Sequence, residues 1–338
     1  MPRGQVQHRA RARVVARLRR VLALAANPDT DMAMEIEAMP TPQPAIFREN
    51  TPHQYFLEFH LRPRWEPEEL RRLLGQALAT RAPETSLVLA FGRDAWERLA
   101  PQEVPENFIT FHPVLGRQDR TAPGTQGDIL VWLHGERHDL NVACAMEIGR
   151  TLAGVATLEL ELHGFTYLDS RDMTGFIDGT ENPHDEEARA AALIPAGRTG
   201  AGGSFVLTQQ WVHDLARFGE LDQTEQESVI GRTKPDSVEL DDAPPTAHVR
   251  RTDVQVDGQQ LKIYRRSAPF GGLRQHGLYF LAFSREIMIF AMQLDRMFGR
   301  AEDGLMDRLT EFSTPVSGAY WFAPPVESLS ALFGERAG

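Results

Sequence analysis

Two periods of apolar spacing run along the chain and mark out its elements. Tyr55–Leu61 interleaves apolar and polar positions as a strand does, and Leu70, Leu73, Leu74, Ala77 and Leu78 recur at helical spacing within Pro67–Arg81. Leu87–Phe91 and Asp128–Leu133 are short apolar runs of strand length, and a helix is expected from about Asp139 to Leu152. Leu158, Leu160 and Leu162 alternate with Glu159 and Glu161, the period of a strand with one face buried and one in water. A proline-rich stretch over residues 40–46 precedes the first of these elements.

The second half repeats the style. Ser204–Trp211 reads as a strand, and Thr224 with Glu227 forms a capping-box pair ahead of Val229-Ile230, stopped by Gly231. Leu278–Phe283 predicts a strand that runs into a helix from Ser284 to about Phe298. That helix buries Ile287, Phe290, Ala291, Leu294 and Met297 and ends at Gly299. Ala319–Phe322 is the last expected strand. Strands of antiparallel type mixed with packed helices in both halves make an α+β fold. Leu-Ala-Phe-Gly-Arg-Asp at 89–94 and Leu-Ala-Phe-Ser-Arg-Glu at 281–286 echo one another, as two similar subdomains would.

Composition narrows the picture. The 338 residues are 42% hydrophobic and 25% charged, enough for one large domain or two that each bury a core. No apolar run approaches the ~20 residues of a membrane-spanning helix, so no membrane association is expected. A net charge of -11 argues against a nucleic-acid partner. The one cysteine, Cys144, excludes an internal disulfide and sits in an apolar helical pattern, which predicts a buried structural thiol and is compatible with the expected cytoplasmic location. Residues 1–28 carry seven arginines and no acid. A basic extension or an upstream start is the expected reading, ahead of a transit peptide or a twin-arginine signal at Arg19-Arg20.

Three segments combine turn-forming and reactive residues. In Gly175-Phe176-Ile177-Asp178-Gly179-Thr180-Glu181-Asn182-Pro183, two glycines let the backbone bend tightly and present a carboxylate, although a capped surface turn has the same signature. In Pro244-Pro245-Thr246-Ala247-His248-Val249-Arg250-Arg251, a rigid corner fixes the approach of a histidine. No histidine shows zinc spacing, but a haem iron needs only one proximal imidazole. In Leu261–Gly271, neighbouring Arg265 and Arg266 would point to opposite faces of a strand, one toward a pocket and one toward solvent, or both to the surface.

Together these segments resemble the dye-decolourising peroxidases, with the GxxDG signature in Gly-Phe-Ile-Asp-Gly and further likeness at 163–165, 229–234, 247–249 and 277–280. The likeness extends over about residues 45–325 and is nearest to the bacterial B-type (P-type) group. It implies two ferredoxin-like subdomains, 45–165 and 166–338, with haem in the second, after a basic, proline-rich extension over 1–44. It also implies one haem b per chain, with His248 as proximal ligand and Asp178 as distal acid–base. Arg265, two places before Ser267, matches the distal arginine. Relatives with asparagine at the Ser267 position have a distal amide that is missing here. Gly179 and Thr180 fall beside the haem on the same likeness, and Arg232 matches a haem-propionate partner.

The chemistry suits these residue types. Peroxide cleavage at haem needs a proton moved from the inner to the outer oxygen, which a carboxylate can do, and a guanidinium can stabilise the departing hydroxide. The proximal histidine needs an acceptor for its other ring N–H. Asp307 is the first choice and Glu311 the second, against solvated helix charge as the alternative for both. Aspartate in place of a histidine base predicts better dye oxidation in mild acid than at neutrality. Trp132, Trp211, Trp321, Tyr264 and Tyr320 are the candidates for surface relays to bulky donors, with structural packing as the alternative. The expected partners are hydrogen peroxide and small aromatic donors, dyes and phenols oxidised in one-electron steps. The family commonly self-associates, so a homo-oligomer is expected. Pro325–Gly338 reads as a terminal helix, so no role as encapsulin cargo is expected. A haem carrier with incidental peroxidase activity and a haem-free carboxylate hydrolase are the competing readings. The first has no use for Asp178 and Arg265, and the second leaves the His248 and Arg265 segments unexplained.

Overall fold

The computed structural model describes residues 39–334. The possible leader within 1–38 and the last four residues therefore lie outside the described part. The first half runs β1 (His53–Leu61), α1 (Pro67–Ala79), β2 (Ser86–Phe91), α2 (Arg93–Leu99), β3 (Ile129–Gly135), α3 (His138–Leu152) and β4 (Ala156–Phe165). After α4 (Asp185–Ala192), the second half runs β5 (Ser204–His213), α5 (Leu215–Gly219), α6 (Gln223–Ile230), α7 (His248–Thr252), β6 (Tyr264–Arg265), β7 (Ala268–Gly271) and β8 (His276–Ser284). It closes with α8 (Ile287–Met297), β9 (Ser313–Pro315), β10 (Ala319–Ala323) and α9 (Val326–Phe333).

β6 and β7 pair along one edge of β8 as a single interrupted strand, and β9 and β10 do the same along β5. Each half is then a four-stranded antiparallel sheet in the order fourth–first–third–second, the ferredoxin-like arrangement. The two sheets meet edge to edge through one residue pair on each side, Phe270 with Gly164 and Phe322 with Phe91, and so close into a ring. The hexapeptide echo falls on β2, the second strand of its sheet, and on β8, the third strand of the other. The halves are alike in topology, but the echo does not mark equivalent positions.

Alternation along each strand sorts side chains to the two faces of the ring. Phe56, Leu130, Trp132, Val206, Tyr279 and Trp321 fill the inside, while Leu57, Val131, Leu207 and Ala282 meet the helices outside. The expected alternation in β4 breaks at one point. Glu58 pairs with Leu160 but Phe59 pairs with Leu158, a bulge that moves Leu158 to the other face, where it is 39% exposed. The capping box also lies two residues earlier than the sequence suggested. Asp222 accepts from the Glu225 amide and Glu225 caps Asp222 in return, leaving Thr224 inside α6. Gly231 does end that helix, with φ +92. Cys144 is buried in α3, and burial pushes its thiol up to about 11.

Polar groups inside the ring are paired. Glu58 accepts from Tyr279 at 2.5 Å and from Thr208 at 3.0 Å. His134, fully buried, is bonded through both ring nitrogens, to Thr51 Oγ1 and to the Ala45 carbonyl, each at 2.9 Å. Burial, helped by the charge of Arg266, pushes its pKa down to about 3. The unfolded chain protonates this imidazole below about pH 6.5 and the folded chain does not, so stability falls with pH. Between neutrality and pH 5 the loss from His134 alone is expected to be about 2 kcal/mol. Urea unfolding at both pH values checks this. His134→Ala should be less stable at each pH but lose that part of the dependence, and an unchanged dependence would reject the assignment.

Candidate active site

A large cavity opens on the outer face of the second sheet, beneath α7 and α8. Leu207, Trp211, Ile263, Phe280, Phe290 and Met297 supply its apolar wall. Its volume is about 310 Å³, within the ~300–1,000 Å³ usual for small-molecule sites. Asp178, Gly179, Thr180, Arg232, His248, Arg265 and Ser267 all line it. Residues far apart in sequence thus converge on one space.

The Asp178 loop owes its shape to its glycines. Gly175 and Gly179 adopt φ +89 and +82, and a Cβ at Gly175 would come within 2.7 Å of the Lys234 side chain. Arg171 ties the loop down by donating to the carbonyls of Gly175, Lys234 and Pro235. The Asp178 amide donates to Ser170 at 3.1 Å, Thr180 bonds Ser237, and Glu181 pairs with Arg232 at 3.0 Å. None of these anchors uses the Asp178 carboxylate.

His248 opens α7 after the proline corner. Its Nδ1 is 2.6 Å from Oδ2 of Asp307, a fully buried carboxylate whose Oδ1 accepts the Leu309 amide at 2.9 Å. Glu311, the second choice, is elsewhere. Its side chain lies 3.9 Å from Arg120, and its carbonyl accepts from Arg217. His213 also lines the cavity, but Ser313 and Asp172 occupy both its ring nitrogens, at 2.8 and 3.2 Å. Among the described residues nothing hydrogen-bonds His248 Nε2, so of the two imidazoles only His248 has a nitrogen free to ligate. Burial opposes ionisation of Asp172. The hydrogen bonds from His213 and Thr174 and the His213 charge outweigh it and hold that carboxyl below its ordinary range. The sequence analysis passed over this pair because Asp172 and His213 lie far apart in the chain, in no recognisable spacing.

Arg265 reaches the cavity and Arg266 points the other way, as the strand period requires. The second arginine does not go to solvent. Arg266 donates to the carbonyls of Ile46 and Arg48 at 2.7 and 2.6 Å and lies 5.0 Å over the Trp132 ring. Ser267 sits at the break between β6 and β7, its hydroxyl accepting the Leu281 amide at 3.3 Å. Arg232 is 7% exposed and already shared between Glu181 and Glu239. The aromatic candidates are not at the surface. Trp132, Trp211, Trp321, Tyr264 and Tyr320 are all buried, whereas Tyr167 is the one tyrosine or tryptophan with intermediate exposure.

The sequence is similar to known proteins along most of its described length. Residues 43–166 match the family model "Dyp-type peroxidase, N-terminal" and residues 169–328 match "Dyp-type peroxidase, C-terminal". The chain belongs to the Dyp-type peroxidase family. It is accordingly an oxidoreductase acting on hydrogen peroxide. A dye-decolorizing peroxidase of Mycobacterium tuberculosis is 38% identical over 264 residues, covering 76% of this chain and 78% of the relative. A Rhodococcus jostii RHA1 DypB variant, solved in complex with haem, is 32% identical, with a TM-score of 0.81 over 87% of this chain and all of the other. The encapsulated Dyp-type peroxidase of Mycobacterium smegmatis is 35% identical, with a TM-score of 0.80 over 86% of this peroxidase and 97% of that one. Among the described residues of the peroxidase, no helix is long and apolar enough to cross a membrane.

Proposed function

We propose that this chain is a haem peroxidase that binds one haem b and oxidises small aromatic donors, dyes and phenols, in one-electron steps. One observation carries the reading. A histidine in the wall of an apolar cavity has Nδ1 held by a buried carboxylate and Nε2 unpaired, and Asp178 and Arg265 line the same cavity. The lining also suits an apolar ligand with polar edges. Much of the cavity wall is apolar, and the buried Gln209 Nε2 in that wall has no partner among the described residues. His248 would hold the iron, and Gly179, Thr180, Arg265 and Ser267 would border the group. A propionate would reach Arg232 by displacing Glu181 or Glu239.

When bound, haem supplies a redox-active iron that takes two oxidising equivalents from peroxide. The chain's own residues manage protons and charge. Asp307 keeps the His248 proton on Nδ1 and so leaves the Nε2 lone pair for ligation. The Asp178 carboxylate takes a proton from one peroxide oxygen and returns it to the other, so that the oxygen lost leaves as water. The Arg265 guanidinium stabilises negative charge on the leaving oxygen.

Homo-oligomer formation and a cytoplasmic location are parts of the same proposal. So is the expectation of no role as shell cargo: within Pro325–Gly338 the helix is present as α9, which buries Leu329, and co-purification with a shell protein through that segment would reject the expectation. The deciding experiment is the absorbance spectrum of haem-supplemented protein beside His248→Ala, before and after stoichiometric peroxide. A Soret band that shifts with peroxide and is lost or altered in the variant is expected. No specific band would reject haem binding, and a band indifferent to peroxide would favour a haem carrier.

A further inference from the structure

The motif that presents Asp178 also grips the strand that carries Arg265. The Asn182 Oδ1 accepts the Arg265 backbone N–H at 2.8 Å, and the Asn182 Nδ2 donates to the Arg265 carbonyl at 2.8 Å. In an extended strand, the N–H and C=O of one residue point to one side and those of its neighbours to the other. β6 pairs with β8 on one edge, through Tyr264 with Phe283 and Arg265 with Ala282, and the Arg266 amide donates to Leu281 at 2.7 Å. Arg265 turns its own peptide groups to the opposite edge. Among the described residues no strand lies there, and the side-chain amide of Asn182 takes the place of one.

We infer that Asn182 is a positioning residue that fixes Arg265 relative to Asp178. The two distal side chains come from segments more than eighty residues apart in sequence, and hydrogen bonds through Asn182 join the loop to the strand. Asn182 is four residues from Asp178, and its own amide donates to the Gly179 carbonyl at 2.9 Å. A shift of the β6 backbone would carry the guanidinium with it, while the cavity walls and the His248–Asp307 pair stayed where they are. Only an amide serves both backbone groups at once, because it has one acceptor and one donor side by side. A carboxylate would accept the Arg265 N–H but oppose the Arg265 carbonyl.

The inference rests on the proposed roles of Asp178 and Arg265, and its test separates the two. Haem-loaded parent, Asn182→Ala, Asn182→Asp, Arg265→Ala and the double variant Asn182→Ala/Arg265→Ala are compared by the rate of reaction with peroxide, by Soret spectrum and by melting temperature. A parent that does not react with peroxide would reject the proposed function itself. Otherwise Asn182→Ala is expected to slow the reaction about 10- to 100-fold, the scale of a misplaced charged group. In the Arg265→Ala background the same change is expected to cost nothing further, since it acts through that side chain. An equal loss in both backgrounds, or no loss in either, overturns the inference. Asn182→Asp is nearly isosteric and supplies the answer if the alanine variant does not fold. Amide hydrogen exchange of haem-free protein gives an independent reading: protection at Arg265 should fall in Asn182→Ala, where the acceptor of its N–H is gone, and unchanged protection there counts against the clamp.

Discussion

Asp178→Asn is expected to lower kcat/KM for hydrogen peroxide by about 10²–10⁴-fold, the range for removing a general acid–base. The fold should tolerate the change. The loop is held by the Ser170 carbonyl, Ser237, Arg232 and the Arg265 backbone, and none of these contacts involves the carboxylate being replaced. Asparagine keeps the shape but cannot take up a proton, so haem uptake and melting temperature should match the parent. Stopped-flow reaction with peroxide measures the loss, and retention within a few-fold would reject Asp178 as the base. The pH profile is a second check. The ordinary carboxylate range lies well below that of an imidazole. A carboxylate base is therefore expected to carry dye oxidation into mild acid where a histidine base would lose it, and activity that falls through the imidazole range with the fold intact would contradict the assignment. The acid loss of stability from His134 limits how far that activity extends, so it should fall where unfolding begins.

Asp307→Asn is expected to weaken haem retention or peroxidase activity by about 10- to 100-fold, although it changes a single atom in a buried side chain. Both Asp307 oxygens accept hydrogen bonds, one from His248 Nδ1 and one from the Leu309 amide. An asparagine has one oxygen. If that oxygen faces the imidazole, its NH₂ meets the Leu309 N–H and leaves a buried donor unsatisfied, at a cost of about 1–3 kcal/mol. If it faces Leu309, the NH₂ donates to Nδ1, the ring proton moves to Nε2, and no lone pair remains there for iron. Either orientation carries a penalty. Titration of haem into the haem-free variant, with its melting temperature, tells them apart: the first orientation lowers stability with affinity kept, and the second does the reverse. A variant like the parent in both would show that the carboxylate does not set the tautomer.

The strands were legible in the sequence wherever alternation was uninterrupted, because a buried face imposes its period on the residues that fill it. The bulge at Glu58-Phe59 escaped, since one extra residue on β4 reverses its alternation without any change in composition. The capping box slipped by two residues because Asp222-x-x-Glu225 and Thr224-x-x-Glu227 carry the same kind of signal, and only packing of α6 chooses between them. At the site, segments with their own turn chemistry stood out, and they include the Asp178 loop and the corner before His248. What stayed hidden depended on distance through space. The His213–Asp172 pair, the inward turn of Arg266, the burial of the tryptophans proposed as relays and the reach of Asn182 to Arg265 each join segments separated by at least thirty residues. Local spacing carries no trace of such contacts.

The ring is closed on each side by a single backbone pairing, and this bears on how the protein is made. The first sheet is complete once Phe165 has been synthesised, but its inner face, with Phe56, Leu130 and Trp132, is covered only by strands that end at Ala323. For the time needed to add roughly 160 residues, at about 5–20 residues per second, a finished sheet leaves the ribosome with an oily concave face and two unguarded edges. The nascent chain is thus most open to aggregation after half of it has already folded, and chaperones that shield emerging chains should matter most over that interval.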